Sequence, residues 1–101
     1  MNSERALHRY VAKEAKRVGV LCRKVVYVGR RGCPDILLVF GGRVMLLELK
    51  SPTGKGRLSA SQETEIQRLR VRGMDVRVIN SQEEVDDAIK DITHGTADTG
   101  R

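Results

Sequence analysis

The sequence predicts an α/β fold in the element order αβββαβα. Three observations carry that prediction. Apolar residues recur at helical spacing near both ends of the chain, as in Leu7, Val11 and Val18 and in Val85, Ala88, Ile89 and Ile92. Two almost uninterrupted apolar runs, Ile36 to Phe40 and Val44 to Leu49, meet at Gly41-Gly42, which reads as a tight hairpin. Two serines, Ser59 and Ser81, each stand three residues before a Gln or Glu, the signature of a capped helix start.

The elements follow in order. Ser3 is placed to cap a first helix from Glu4 to Val18, ended by Gly19. Its apolar face is Leu7, Val11 and Val18 with Tyr10 beside them, and Arg5, Arg9, Lys13 and Lys16 make a basic stripe. Val25 to Val28 is short and β-branched, so a first strand is expected there. Gly29-Arg30-Arg31-Gly32 is a basic turn. The two apolar runs are the second and third strands, and their lack of alternation predicts cover on both faces. A loop with Pro52, Gly54 and Gly56 leads from Ser51 to Leu58. Ser59-Ala60-Ser61-Gln62 opens a second helix that runs to about Val71 and stops at Gly73. Val76 to Ile79 is a fourth strand, and Ser81-Gln82-Glu83-Glu84 opens the last helix. A single domain is expected over 1–93, with 94–101 a polar, small-residue tail expected to be disordered.

With 101 residues the chain has room for one core and no second lobe. Nineteen Lys and Arg against 13 Asp and Glu give a formal charge of +6. That excess favours nucleic acid as the partner, with a membrane surface as the competing reading. The sequence offers no apolar stretch of about 18 residues and no signal-peptide pattern, so an intracellular, cytoplasmic location is expected. Cys22 and Cys33 form no CxxC pair, and His8 and His94 read as isolated. Only Tyr10, Tyr27 and Phe40 are aromatic, which disfavours a single-strand binder that stacks bases.

The chemistry concentrates in Gly32-Cys33-Pro34-Asp35, Glu48-Leu49-Lys50 and Gln62. Strand side chains alternate, so Glu48 and Lys50 point to one side of a sheet. The turn holding Gly32 and Pro34 sets Asp35 at the mouth of the neighbouring strand. Two carboxylates and an ammonium at one point suit a divalent metal beside a phosphodiester. The plainer alternatives are a same-face surface pair for Glu48 and Lys50 and a purely capping role for Gln62. For Glu4 the plainer role is a favourable charge at a helix N-terminus. A buried Glu beside a buried Lys is costly without a metal or partner, which weighs against a structural pair.

These segments, with Gly-Gly-Arg-Val at 41 to 44, Ser51-Pro52 and Leu58-Ser59, resemble the VRR-NUC nucleases of the PD-(D/E)xK superfamily. The resemblance runs from Glu4 to about Ile92, and its stand-alone members are mostly from phages. It implies a restriction-endonuclease-like core with a mixed central sheet flanked by helices. It implies Asp35 and Glu48 as metal ligands, joined by the backbone carbonyl of Leu49. It implies Lys50 as the residue that orients or deprotonates the attacking water, with Gln62 close by. A glutamate of the first helix completes the cluster, Glu4 by its distance from Gly19, with Glu14 as rival. Cys33 stands where a small aliphatic residue is commoner, and the loop between Lys50 and Gln62 is longer than in compact members.

The function expected is a Mg²⁺- or Mn²⁺-dependent, structure-selective DNA endonuclease. Arg30, Arg31, Lys55 and Arg57 on the loops, with Arg5, Arg9 and Lys13 on the helix, would hold the DNA backbone. Branched duplexes such as four-way junctions are the expected substrate. Cutting two opposed strands needs two sites, hence an expected homodimer. The alternatives are a flap- or nick-directed nuclease, a sequence-specific restriction enzyme, and a non-catalytic nucleic-acid-binding module on the same fold.

Overall fold

The computed structural model describes residues 3–53 and 57–94. Gly54, Lys55, Gly56 and the expected tail beyond His94 lie outside the described residues.

Helix α1 spans Glu4–Val18. Ser3 caps it, its hydroxyl accepting from the Ala6 amide at 3.0 Å, and Gly19 closes it in the left-handed conformation. Its buried residues are Ala6, Leu7, Val11 and Ala15. The hairpin joins β2 (Ile36–Phe40) to β3 (Arg43–Leu49). Gly41 and Gly42 have φ of 58° and 80°, the two positive angles that a tight two-residue hairpin turn demands. Helix α2 (Ala60–Val71) crosses over to β4 (Asp75–Ile79), which pairs with β3 in parallel. Helix α3 (Gln82–His94) closes the order αβββαβα. The Ser81 hydroxyl accepts from the Glu84 amide, and the Glu84 carboxylate reaches back to the Asn80 amide.

One strand differs from expectation. The first strand, β1, is Leu21–Lys24, and Val25 to Val28 is not part of the sheet. β1 pairs antiparallel with β2, Leu21 facing Val39 and Lys24 facing Ile36. One more bond follows, from the Val25 amide to the Asp35 carbonyl. In that register Val26 would next face Pro34, which has no N–H for a ladder. The chain instead continues over α2. Val25 packs into the apolar cluster beneath that helix, and the Tyr27 hydroxyl donates to Glu65 at 2.6 Å. Val26 and Val28 are exposed.

The four strands lie in the order β1-β2-β3-β4. Alternation along β3 sends Met45, Leu47 and Leu49 to one face, into a cluster with Leu7, Val11 and Ala15 of α1 and Val85, Ala88, Ile89 and Ile92 of α3. Leu46 goes to the other face, with Ile66 of α2 and Val76 of β4. Both faces are therefore covered, as the unbroken apolar runs predict. By the same alternation Glu48 faces α2.

Candidate active site

Asp35 and Glu48 are brought together by the hairpin. Ile36 faces Leu47 in the β2–β3 register, so the preceding residue, Asp35, faces Glu48 on the same side of the sheet. Two backbone bonds hold Asp35 there. Its amide donates to the Leu47 carbonyl at 2.9 Å, and its Oδ2 accepts from the Leu49 amide at 2.7 Å. Upstream, Gly32 presses on the start of α2. A Cβ at Gly32 would meet the Ser61 carbonyl oxygen at 2.6 Å, and its φ is +93°, so only glycine fits.

Glu48 is the one charged side chain in the buried set among the described residues, 2% exposed. Its Oε2 accepts from Gln62 Nε2 at 2.8 Å and lies 3.5 Å from Lys50 Nζ. Its Oε1 is buried with no hydrogen-bond partner among the described residues. Burial, and then the nearby charge of Asp35, push its carboxyl up to about 7, against the pull of Lys50. A buried carboxylate oxygen without a donor is costly in a purely structural setting and suits a cation.

Gln62 belongs to the cap and to the site at once. The capping box forms as predicted, with Gln62 Oε1 accepting from the Ser59 amide at 2.9 Å and the Gln62 amide donating to the Ser59 hydroxyl at 3.1 Å. The same Oε1 accepts from Lys50 Nζ at 3.2 Å. Because a backbone N–H must meet an oxygen, the amide has one orientation, which aims Nε2 at Glu48. The cap thus positions both Lys50 and Glu48.

Glu4 reaches this region from the first turn of α1, and His8 comes with it. One ligand atom each from Glu4, His8 and Asp35 lie within 4.8 Å of one another. His8 is therefore not isolated, contrary to expectation. The signal was its place four residues after Glu4, which puts both side chains on one helical face. Glu14, the rival for the helix ligand, pairs instead with Arg17 at 2.9 Å and faces the groove between α1 and α3.

The basic residues divide. Arg5, Arg9 and Lys24 flank a cleft of about 520 Å³ between α1 and β1, which Glu4 and His8 also line. Lys13 is exposed further along α1. Arg30, Arg31 and Arg57 are exposed on the loops, Arg30 within 4.0 Å of Glu65. No helix among the described residues is long and apolar enough to cross a membrane.

Comparison with known proteins identifies the family and the fold. The VRR-NUC domain family model matches residues 2–83. The chain is 32% identical over 81 residues to "Putative nuclease p44" of Acyrthosiphon pisum secondary endosymbiont phage 1, which spans 79% of this chain and 85% of that one. A solved VRR-NUC domain superimposes with a TM-score of 0.80 at 31% identity, covering 89% of this chain and 97% of its own. With the family model matching most of the chain and the fold superimposing on a solved member, this chain belongs to the VRR-NUC nuclease domain family.

Proposed function

We propose that the chain is a metal-dependent DNA endonuclease that hydrolyses phosphodiester bonds in branched duplexes such as four-way junctions, working as a homodimer. The observation that carries this reading is Glu48, a buried carboxylate facing Asp35 with one oxygen left unsatisfied. Asp35, Glu48 and the Leu49 carbonyl would hold Mg²⁺ or Mn²⁺, with Glu4 from α1. A divalent cation there supplies charge for the scissile phosphate and makes water a stronger nucleophile.

The chain's own residues do the rest. Lys50, tethered by Gln62 and Glu48, is held where it orients the attacking water and offsets charge gathering on the phosphate. Gln62 keeps both side chains in place through the rigid start of α2. Arg5, Arg9 and Lys24 flank the approach along the cleft, and Lys13, Arg30, Arg31, Lys55 and Arg57 add charge for the DNA backbone. Such contacts follow duplex shape rather than base sequence, which favours a structure-selective enzyme. A single small domain with one site needs a second copy to cut two opposed strands. The setting is the cytoplasm, in a host cell if the gene is a phage's.

The test is cleavage of labelled four-way junction, flap, nicked and linear duplexes with Mg²⁺, with Mn²⁺ and with EDTA, alongside light scattering. Paired cuts across the junction, lost in EDTA, from a dimer are expected. A monomer that nicks one strand favours the flap or nick substrate, and binding without cleavage under any metal overturns the enzyme reading.

A further inference from the structure

We propose that His8, Glu4 and Asp35 form a cation site with one imidazole nitrogen and two carboxylate donors, which favours first-row transition ions over Mg²⁺. This deepens the nuclease reading and rests on its divalent cation.

Glu4 and His8 stand one turn apart on α1, and Asp35 meets them from the start of β2. Their ligand atoms lie within 4.8 Å of one another. Donors about 2.1 Å from an ion stand up to about 4.2 Å apart across it, so side-chain rotation closes the set. A second observation lies beside the shared Asp35, which faces Glu48 across the hairpin. Glu48 Oε1 is buried and unpartnered, and its carboxyl lies within the fields of both Asp35 and Glu4. Asp35 is common to both arrangements, facing Glu48 across the hairpin and lying within reach of His8. Its Oδ2 is occupied by the Leu49 amide, so the geometry of that carboxylate is set by backbone. The cluster borders the cleft flanked by Arg5, Arg9 and Lys24, where an anionic ligand would complete the coordination.

The nitrogen is what sets this chain's chemistry apart from an all-oxygen site. Mg²⁺ binds oxygen and gives up its waters reluctantly. Imidazole suits Fe²⁺, Ni²⁺, Cu²⁺ and Zn²⁺ and adds little for Mg²⁺. The chain holds two histidines, and His94 ends α3, lining the groove between α1 and α3. A nitrogen signal at bound metal can therefore be assigned by substitution.

The experiment is pulsed electron paramagnetic resonance of Mn²⁺ on the full chain, with calorimetric titration of Ni²⁺ and Mg²⁺. The variants are His8→Gln and His94→Gln, with circular dichroism to show that each folds. Coordinated nitrogen is expected in the wild type and in His94→Gln, and not in His8→Gln. In His8→Gln, Ni²⁺ affinity should fall about 10-fold or more while Mg²⁺ affinity changes by less than about twofold. Bound Mn²⁺ without a nitrogen signal in the wild type overturns the His8 site and leaves a cation at Asp35 and Glu48 intact. Equal losses for both ions also overturn it. No Mn²⁺ binding by the folded wild type overturns both the site and the metal reading beneath it.

Discussion

The two faces of the sheet are built to different ends. The face toward α1 and α3 is saturated with apolar side chains, among them Leu38, Leu47, Leu49, Val11 and Val85, all essentially inaccessible. The face toward α2 has Leu46, Ile66 and Val76 as its buried apolar set, and it also carries Glu48. The first face spends its area on burial, which is the main source of stability. The second gives up part of its area to a carboxylate, an amide and an ammonium that no core requires. A four-stranded sheet of this size can lodge a charged cluster in one face because the other holds the fold.

Substitution at the charged face should produce the largest effects, and they should appear in activity. Asp35→Ala and Lys50→Ala should each lower the cleavage rate by about 1000-fold or more, equivalent to roughly 4 kcal/mol of lost transition-state stabilisation. DNA affinity, measured by filter binding, should hold in both, and Mn²⁺ binding should hold in Lys50→Ala. Lys50→Arg should not restore the rate, because a planar guanidinium does not replace a compact ammonium. Full activity in Asp35→Ala would erase the distinction between the faces.

Stability should divide the other way. Leu38→Ala, on the saturated face, should cost about 2–5 kcal/mol by urea denaturation. Leu37→Ala, its neighbour on the α2 face, is half-buried and should cost less than half as much. Equal costs would show that α2 contributes as much to the fold as α1 and α3 together.

A third contrast is with pH. Burial raises the folded Glu48 carboxyl from an ordinary 4.5 to about 7. Its protonated form is thus favoured by folding. The contribution is complete below about pH 4.5 and is lost as pH rises through 7, by roughly 3 kcal/mol in all. Denaturation midpoints should fall over that window in the metal-free protein, and added Mn²⁺ should oppose the fall by binding the ionised form. A flat profile would mean that Glu48 is paired better than its bonds to Gln62 and Lys50 imply.

A last effect is expected at the loop. Gly32→Ala forces a left-handed residue and a clash with the Ser61 carbonyl, costing about 1–3 kcal/mol and moving Asp35 with the loop. Thermal melting with a cleavage assay checks this, and loss of cleavage should exceed loss of stability.

Asp35 and Glu48 were legible in the sequence because a two-residue turn leaves no freedom. Strands joined by Gly41-Gly42 must set residue 35 against residue 48 on one face. Gln62 was legible through its cap, and the same side chain that caps α2 also contacts Lys50 and Glu48. The strand at Leu21–Lys24 was not legible. It is less β-branched than Val25 to Val28, and the choice between them depends on Pro34, which meets this segment only through pairing. His8 was missed because a helix face acquires a partner only when the sheet beneath it is placed. Which helix covers Glu48 was likewise beyond periodicity, which fixes alternation but not the identity of the layer above.

The proposed metal role of Glu48 implies that its burial comes at some expense of stability. Glu48→Gln tests it most directly, because the amide fills the same space without the charge. Urea denaturation at pH 8 without metal and junction cleavage with Mn²⁺ should be measured on one preparation. The variant should be at least as stable as the wild type and should have lost cleavage by about 1000-fold or more. A variant that is less stable and still cleaves would contradict the account.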